Sequence, residues 1–169
     1  IYVSFILLFD ILNLKGSFSS SFSKLWSTFF VSLIFLQIFL GGIVSGLDGG
    51  LIYPTWTLMG NTFLPLDYWN IDLGFLNIFE NRSNIQFNHR TLAYLILFLS
   101  LINIYIFKNN RDLYRISNLL LIIVFIQIFF GIVSIVFYMP WQTALLHQFF
   151  ALILFSVSIF YRSIIYRGK

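Results

Sequence analysis

Charged residues make up only 9% of this 169-residue chain, whereas apolar residues make up 59% and the mean hydropathy is +0.90. A soluble domain carries about a quarter charged residues, so the composition excludes that class and indicates an integral membrane protein. The net charge of +4 is then no sign of nucleic-acid binding, and the lack of cysteine excludes disulfides, thiolate metal sites and a cysteine nucleophile.

The first 24 residues contain no complete spanning segment. Ile1–Phe9 is apolar but too short, since about 20 residues are needed to cross a bilayer. It has no charged N-terminal region and does not match a signal peptide, so we interpret it as the remnant of a preceding transmembrane helix. The polar, Ser-rich stretch that follows, up to Lys24, is predicted to be an inner loop, and the chain is expected to be the C-terminal part of a longer protein.

Four stretches are long and apolar enough to cross the membrane as helices. They are Leu25–Leu47, Gln86–Phe107, Ile116–Met139 and Thr143–Tyr161. The first connection, residues 48–85, is a long outer loop with Tyr and Trp, which settle at the headgroup level. The others are the basic link Lys108–Arg115 and a tight turn at Pro140–Gln142. The predicted fold is all-α, a four-helix transmembrane bundle over residues 25–169.

The distribution of Lys and Arg predicts the orientation of this bundle. Only Arg82 and Arg90 fall on the side of the long loop, which also carries four acids. The other eight basic residues fall on the opposite side: Lys15, Lys24, Lys108, Arg111, Arg115, Arg162, Arg167 and Lys169. Because basic loops are retained on the cytoplasmic side, the long loop is predicted outside and the C-terminus inside.

The two histidines occupy equivalent places in this topology. His89 begins the second span and His147 begins the fourth, and both helices run from outside to inside. His89 lies 19 residues before Lys108, and His147 lies 20 before Arg167. Both are therefore predicted about 28–30 Å from the inner boundary of a core about 30 Å thick. Their matching depth predicts a shared ligand near the outer face.

An internal repeat supports this pairing. Gln37-Ile-Phe-Leu-Gly41 on the first span recurs as Gln127-Ile-Phe-Phe-Gly131 on the third, and each copy precedes a helix that carries one histidine. Two copies of such a hairpin predict a bundle with equivalent histidine positions. The glutamines are candidates for orienting the histidines, although interhelical hydrogen bonds explain them equally well.

Other residues near the outer face have more ordinary interpretations. Gly42, Gly46 and Gly50 are spaced by four and predict close helix packing, with close approach to a cofactor as the alternative. Asp48 and Glu80 are weak candidates for catalytic acids, and hydrogen bonding at helix ends or in the loop explains them better.

The available donors favour a haem over a bare metal ion. Zinc or copper needs more nitrogen or sulfur donors than two histidines, whereas a haem iron needs only two axial ligands. Arg90, beside His89, is a candidate to bind a haem carboxylate, and Arg82 is a second, although a solvated loop charge explains Arg82 better. With both axial positions taken, such a haem transfers electrons and does not activate oxygen. Histidines bonded to nearby carbonyls, or a proton relay, are the alternatives.

Together these motifs resemble the C-terminal half of haem A synthase in its alphaproteobacterial and mitochondrial form. The similar segments are Leu40–Met59, Asn77–Asn81, Gln86–Arg90, Tyr138–Pro140 and Leu146–Gln148. The resemblance implies eight spanning helices in two pseudo-symmetric halves. It also implies oxidation of a haem O ring methyl to the formyl group of haem A, for cytochrome oxidase assembly. His89 and His147 would be the axial ligands of a low-spin haem b.

One part of the family pattern is missing here. The family's Glu-x-x-x-His motif and second histidine, which surround the substrate haem, have no counterpart, since Glu80 lies in the loop nine residues before His89. We therefore expect this chain to be the accessory-haem half, unable to form haem A alone, and assign no catalytic residue.

The resemblance also implies partners and a location. The partners are membrane lipid, haem O and haem A, with haem O synthase, cytochrome oxidase assembly factors and further copies of the chain as candidates. The location is the bacterial cytoplasmic membrane or the mitochondrial inner membrane, with the C-terminus on the cytoplasmic or matrix side.

Two other functions fit part of the pattern. One is a haem b-binding membrane anchor that transfers electrons in a quinol-linked complex. The other is a small transporter with a histidine proton relay, which is disfavoured because no acid lies mid-span.

Overall fold

The computed structural model describes residues 20–167 and places most of them in four long helices. These are α1 (Ser21–Gly46), α2 (Arg82–Phe107), α3 (Arg111–Val136) and α4 (Trp141–Arg167). Each has 26 or 27 residues, or about 39 Å of helix, and is apolar enough to cross a membrane. Residues 20–167 contain no strand, only an isolated bridge between Met59 and Thr62. The predicted all-α membrane bundle is confirmed, whereas the Ile1–Phe9 remnant lies outside the described residues.

The four helices pack in a ring. Each helix contacts the one before and the one after it, and α4 closes the ring against α1. The histidine-bearing helices α2 and α4 are therefore not sequential neighbours, so a group between them lies on the bundle axis. This is the four-helix geometry in which facing side chains build internal sites.

Three helices begin at a polar cap that hydropathy does not detect. Ser20, Asn81 and Asn110 each accept hydrogen bonds from backbone N–H groups in the first turn of α1, α2 and α3. Such caps satisfy donors that would otherwise lack partners. The helices consequently start four or five residues before the predicted spans, and the basic link is shorter than predicted.

The turn between α3 and α4 also differs from the prediction. It occupies residues 137–140, where Tyr138 and Met139 have positive φ and the Met139 N–H donates to the Ser134 carbonyl. Trp141 already begins α4, directly after Pro140, which has no N–H to leave unpaired. The predicted turn was therefore placed too late in the chain.

The half of the bundle away from the long loop, which is the inner half in the predicted orientation, contains a dense apolar core. Phe30, Phe107, Leu113, Leu120 and Tyr161 are almost completely buried there. At its centre, the Asn103 amide oxygen on α2 accepts hydrogen bonds from Trp26 Nε1 and from the Tyr161 hydroxyl. Its amide nitrogen donates to Ser117, so one side chain joins all four helices.

The outer loop is compact and partly helical. It contains short 3-10 helices at Gly49–Leu51 and Ile71–Leu76 and a one-turn helix at Asn77–Glu80. Asn77 is fully buried and bonds the backbone of Tyr68 and Asn70. These bonds hold the loop together, and the Asn84 amide on α2 donates to the same Tyr68 carbonyl, which attaches the loop to the start of α2.

Candidate ligand-binding cavity

A cavity of about 440 Å³ lies in the half of the bundle next to the long loop, which is the outer half in the predicted orientation. All four helices line it with mostly apolar side chains, among which both histidines and both repeated glutamines are exceptions. This volume is within the range of cofactor pockets, which are typically about 300–1,000 Å³ and mostly apolar. The cavity can therefore hold a flat apolar molecule with a few polar anchors.

The two predicted ligand residues meet in this cavity. The ring centroids of His89 on α2 and His147 on α4 are 6.4 Å apart, with ring planes at 74°. The structure therefore brings the two histidines together at one level of the bundle. The separation leaves room for a small atom between the rings.

The internal repeat appears again in the contacts of the histidines. Gln37 Nε2 donates to the backbone carbonyl of His89 at 3.0 Å, and Gln127 Nε2 donates to that of His147 at 2.8 Å. A Cβ atom on Gly41 would lie 3.1 Å from the His89 ring. One on Gly131 would lie 3.3 Å from the His147 ring. Each glutamine thus fixes a histidine backbone, while the absence of a side chain at each glycine makes room for the ring.

Several polar atoms around the cavity have no partner. Within residues 20–167, the buried side-chain atoms without a hydrogen bond are Gln37 Oε1, Gln86 Oε1, His89 Nδ1 and Arg90 Nε. All four residues line the cavity. Buried polar groups in native proteins are normally paired. This cluster of unpaired atoms therefore indicates a binding site for a ligand with polar groups at its edge.

The structure ties Arg90 to the segment that covers the cavity. Its Nη1 donates to the Thr55 carbonyl at 2.9 Å and its Nη2 donates to the Tyr53 carbonyl at 2.8 Å. Gln86 donates to the Tyr53 carbonyl as well. The covering segment, residues 50–56, is completed by Trp56, whose indole N–H donates to the Tyr94 hydroxyl. Arg90 therefore borders the cavity from above, with Nε still unpaired.

Asp67 anchors the loop outside the membrane. Its carboxylate accepts hydrogen bonds from the hydroxyls of Tyr53 and Ser83. Burial raises the pKa of Asp67, but the hydrogen bonds from Ser83 and Tyr53 outweigh it and leave the pKa below its ordinary value. The same bond to Asp67, together with burial, raises the pKa of Tyr53. Through these two hydrogen bonds, Asp67 connects Tyr53 in the covering segment to Ser83 in the first turn of α2.

Three other residues that the sequence singled out do not reach the cavity. Arg82, Asp48 and Glu80 are exposed and absent from the lining residues. Arg82 is exposed to solvent, as the sequence analysis favoured. Asp48 closes the end of α1 with positive φ, and Glu80 ends the one-turn helix.

The glycine stripe does not pack as predicted. A Cβ atom on Gly42 or Gly46 would meet nothing within 4 Å, whereas one on Gly50 would collide with Met139. The prediction of close helix packing is therefore wrong at Gly42 and Gly46. Gly42 instead lines the cavity, where the alternative of close approach to a cofactor would place it, and Gly46 is exposed.

Sequence reasoning also missed residues around the site. Trp56, Met139 and Gln148 line the cavity, and Tyr94 fixes Trp56. Trp56 and Met139 belong to loop or turn segments, whose three-dimensional position has no periodic signal. Among residues 20–167, no group of three or more His, Cys, Asp or Glu could hold a bare metal ion.

Comparison with known proteins gives one family. Residues 8–159 match the COX15-CtaA family, described as "Cytochrome oxidase assembly protein". The "Heme A synthase" of Wolbachia sp. subsp. Brugia malayi (strain TRS) is 42% identical over 124 residues, which cover 73% of this chain and 36% of that protein. No solved structure matches significantly.

Other relatives show the same partial coverage. The "Heme A synthase" of Rickettsia bellii (strain OSU 85-389) is 34% identical over 158 residues, covering 92% of this chain and 47% of that protein. The "Heme A synthase" of Brucella ovis is 35% identical over 132 residues, which cover 76% of this chain and 37% of that protein. The chain thus spans between about a third and a half of the length of these relatives.

Proposed function

The chain belongs to the COX15-CtaA family, and on this basis we propose that it serves haem A biosynthesis for cytochrome oxidase assembly. The reaction is the conversion of haem O to haem A by oxidation of a ring methyl to a formyl group. Relatives with the name "Heme A synthase" support this assignment. The chain contributes a membrane-embedded site for a haem b, with haem O as the substrate of the whole enzyme.

The observation that carries the haem site is the distance between the two imidazole rings. Metal–imidazole nitrogen bonds are about 2.0–2.1 Å long, and the nitrogen lies roughly 1.1 Å from its ring centre. Two imidazoles in line through one metal ion therefore have centroids roughly 6.2–6.4 Å apart. The 6.4 Å between the ring centroids of His89 and His147 matches this separation.

The rest of the cavity also suits a haem. The apolar lining accommodates the macrocycle, which supplies the four other iron ligands that the protein lacks. Arg90 lies at the outer rim, where its guanidinium can bind a carboxylate at the membrane surface. His89 and His147 would together hold the iron, and a haem held by two histidines would supply electron transfer rather than oxygen activation.

Within this proposal the residues of the chain have separate tasks. His89 and His147 hold the iron, and Gln37 and Gln127 hold the backbone of these histidines. The covering segment is held beside the site by Arg90 and Gln86. We assign no catalytic residue in this part of the enzyme.

An optical spectrum with haem extraction tests the function. The 169-residue chain, purified in detergent, is expected to show a low-spin haem b signal that disappears in a His89→Ala/His147→Ala variant. Co-expression with the remaining part of the enzyme should give haem A from haem O. Haem b without haem A would support an electron-transfer anchor instead, and no haem at all would refute the site.

We further propose that the loop side of the bundle faces outward. The described basic residues of the loops and helix ends, apart from Arg82, gather at the opposite end, where Arg162 and Lys24 contact the Tyr166 ring. A Cys at the exposed Asn61 should react with an impermeant thiol reagent from outside, and one at the exposed Asn109 should not. The reverse labelling would invert the orientation.

A further inference from the structure

The two histidines are bound differently by their surroundings, although the repeat makes their positions equivalent. His147 Nδ1 lies 3.0 Å from the backbone carbonyl oxygen of Gln127. His89 makes no such bond. Its Nδ1 is buried and has no partner, and its Nε2 lies 3.2 Å from Gln37 Nε2.

The bond of His147 fixes its tautomer. A carbonyl oxygen can only accept, so Nδ1 of His147 carries the proton and Nε2 keeps its lone pair. A ring with this tautomer is ready to bind a metal ion through Nε2. The acceptor is the main chain of Gln127, so no side-chain replacement at position 127 removes it.

The bond of His89 has the opposite polarity. Gln37 Nε2 also donates to the His89 backbone carbonyl, which fixes the orientation of the Gln37 amide group. An amide NH₂ group only donates, so Nε2 of His89 accepts from it. The lone pair that a metal ion needs is therefore occupied by Gln37, and the Nδ1 proton has no acceptor.

We propose that His147 is the permanent ligand of the site and His89 the exchangeable one, with Gln37 as the positioning residue that holds the His89 ring when it is off the metal ion. This inference rests on the proposed haem site. If the site holds a haem, exchange would replace the bond between His89 Nε2 and the iron by the hydrogen bond from Gln37. A neutral external ligand such as carbon monoxide would take the place of His89 without any electron transfer.

Single glycine variants of the haem-loaded chain test the inequivalence. His89→Gly should retain most of its haem on His147 as a high-spin, five-coordinate form, and free imidazole should restore the six-coordinate spectrum. His147→Gly should lose most of its haem, because His89 alone is a poorly prepared ligand. Equal retention in the two variants, or the reverse order, would overturn the proposal.

A matched pair of glutamine variants tests the role of Gln37. Both glutamines donate to a histidine backbone carbonyl, but of the two only the Gln37 side chain also forms a hydrogen bond with a histidine ring. Gln37→Leu removes the group that competes with iron for His89, so the affinity of the ferrous haem for carbon monoxide should fall roughly two- to tenfold. Gln127→Leu removes only a bond to the His147 backbone, so it should change this affinity by a clearly smaller factor than Gln37→Leu.

The results separate this inference from the proposed function. Affinity is measured on the haem-loaded fraction, so partial misfolding lowers the yield but not the constant. A wild-type chain without a low-spin spectrum would refute the haem site and this inference together. A low-spin wild type in which Gln37→Leu has no effect, or in which both leucine variants shift equally, would refute only the role of Gln37.

Discussion

The inner and outer halves of the bundle use the same four helices but treat polar side chains in opposite ways. In the inner half, the Asn103 amide bonds side chains on each of the other helices. In the outer half, Gln37, Gln86, His89 and Arg90 each keep a buried atom without a partner.

This difference separates the scaffold from the site. A fully paired polar group inside a membrane bundle specifies how helices pack, whereas an unpaired one destabilises the fold unless a ligand satisfies it. The four unpaired atoms all belong to residues that line the cavity. The inner half therefore holds the helices together, and the outer half is shaped for binding.

The largest effect should come from removing both histidines. His89→Ala/His147→Ala is expected to lose the haem completely, because no other histidine exists in the chain. The unfolding free energy of the haem-free protein should change by less than about 1 kcal/mol, since the double variant also removes an unpaired nitrogen. Absorption spectra and unfolding in a denaturing detergent measure the two quantities.

A large loss of stability in this double variant would contradict the division between scaffold and site. The histidines would then belong to the packing of the bundle. The matched control is the haem-free wild type, so that the contribution of the ligand does not enter the comparison.

The second effect concerns the inner half. Asn103→Leu leaves the Trp26 N–H and the Tyr161 hydroxyl without their acceptor, so the unfolding free energy should fall by about 2 kcal/mol. The spectrum of the haem bound to the remaining folded protein should not change. Detergent unfolding and the Soret band position check both statements.

The control for this variant is Ser100→Ala, on the same helix. Ser100 is also buried, but its hydroxyl bonds only the carbonyl of Ile96 within α2. Its loss should change the unfolding free energy by no more than about 0.5 kcal/mol. Equal effects of the two substitutions would mean that Asn103 does not link the helices.

A smaller effect is expected at the rim of the cavity. Arg90→Gln should speed haem dissociation about tenfold, because the guanidinium group holds a carboxylate and the covering segment. The spin state should stay low, since Arg90 does not hold the iron. Arg82→Gln, an exposed arginine on the same helix, is the control and should change neither property. A high-spin signal in Arg90→Gln would contradict this assignment.

The same division shows what the sequence could predict. Spans and the depth of His89 and His147 follow from hydropathy and residue counting, which are local properties. The repeat also predicts which glutamine lies beside which histidine. Gln37 and Gln127 occupy equivalent positions in the two hairpins, so each faces the histidine of its own hairpin.

Other features depend on contacts that no local pattern encodes. Gly41 contacts His89 and Gly42 does not, although consecutive residues differ only by about 100° around the helix. Asn103 looks like any polar residue near a helix end until three other helices surround it. The Asn81 cap lengthens α2 beyond its apolar part for the same reason, since its bonds add no hydropathy.

The smallest effect is expected in the outer loop, at Asp67. Asp67→Ala removes the acceptor for Tyr53 and Ser83, which should free the first turn of α2 and speed tryptic cleavage after the exposed Arg82 roughly threefold. Asp72→Ala, an exposed acid in the same loop, should not change the rate.

Lowering the pH should have the same effect as removing the Asp67 carboxylate. The pKa of Asp67 lies below its ordinary value of 3.8, so the carboxylate stabilises the loop fully above that pH and the stabilisation is lost as the pH falls through the lowered pKa. Intrinsic fluorescence, with Trp56 and Trp69 as reporters in the loop, should show this acid transition in the wild type. The transition should persist in Asp72→Ala and be absent from Asp67→Ala. An identical transition in Asp67→Ala would mean that another group controls the loop, and that the covering segment is held by Arg90 and Gln86 alone.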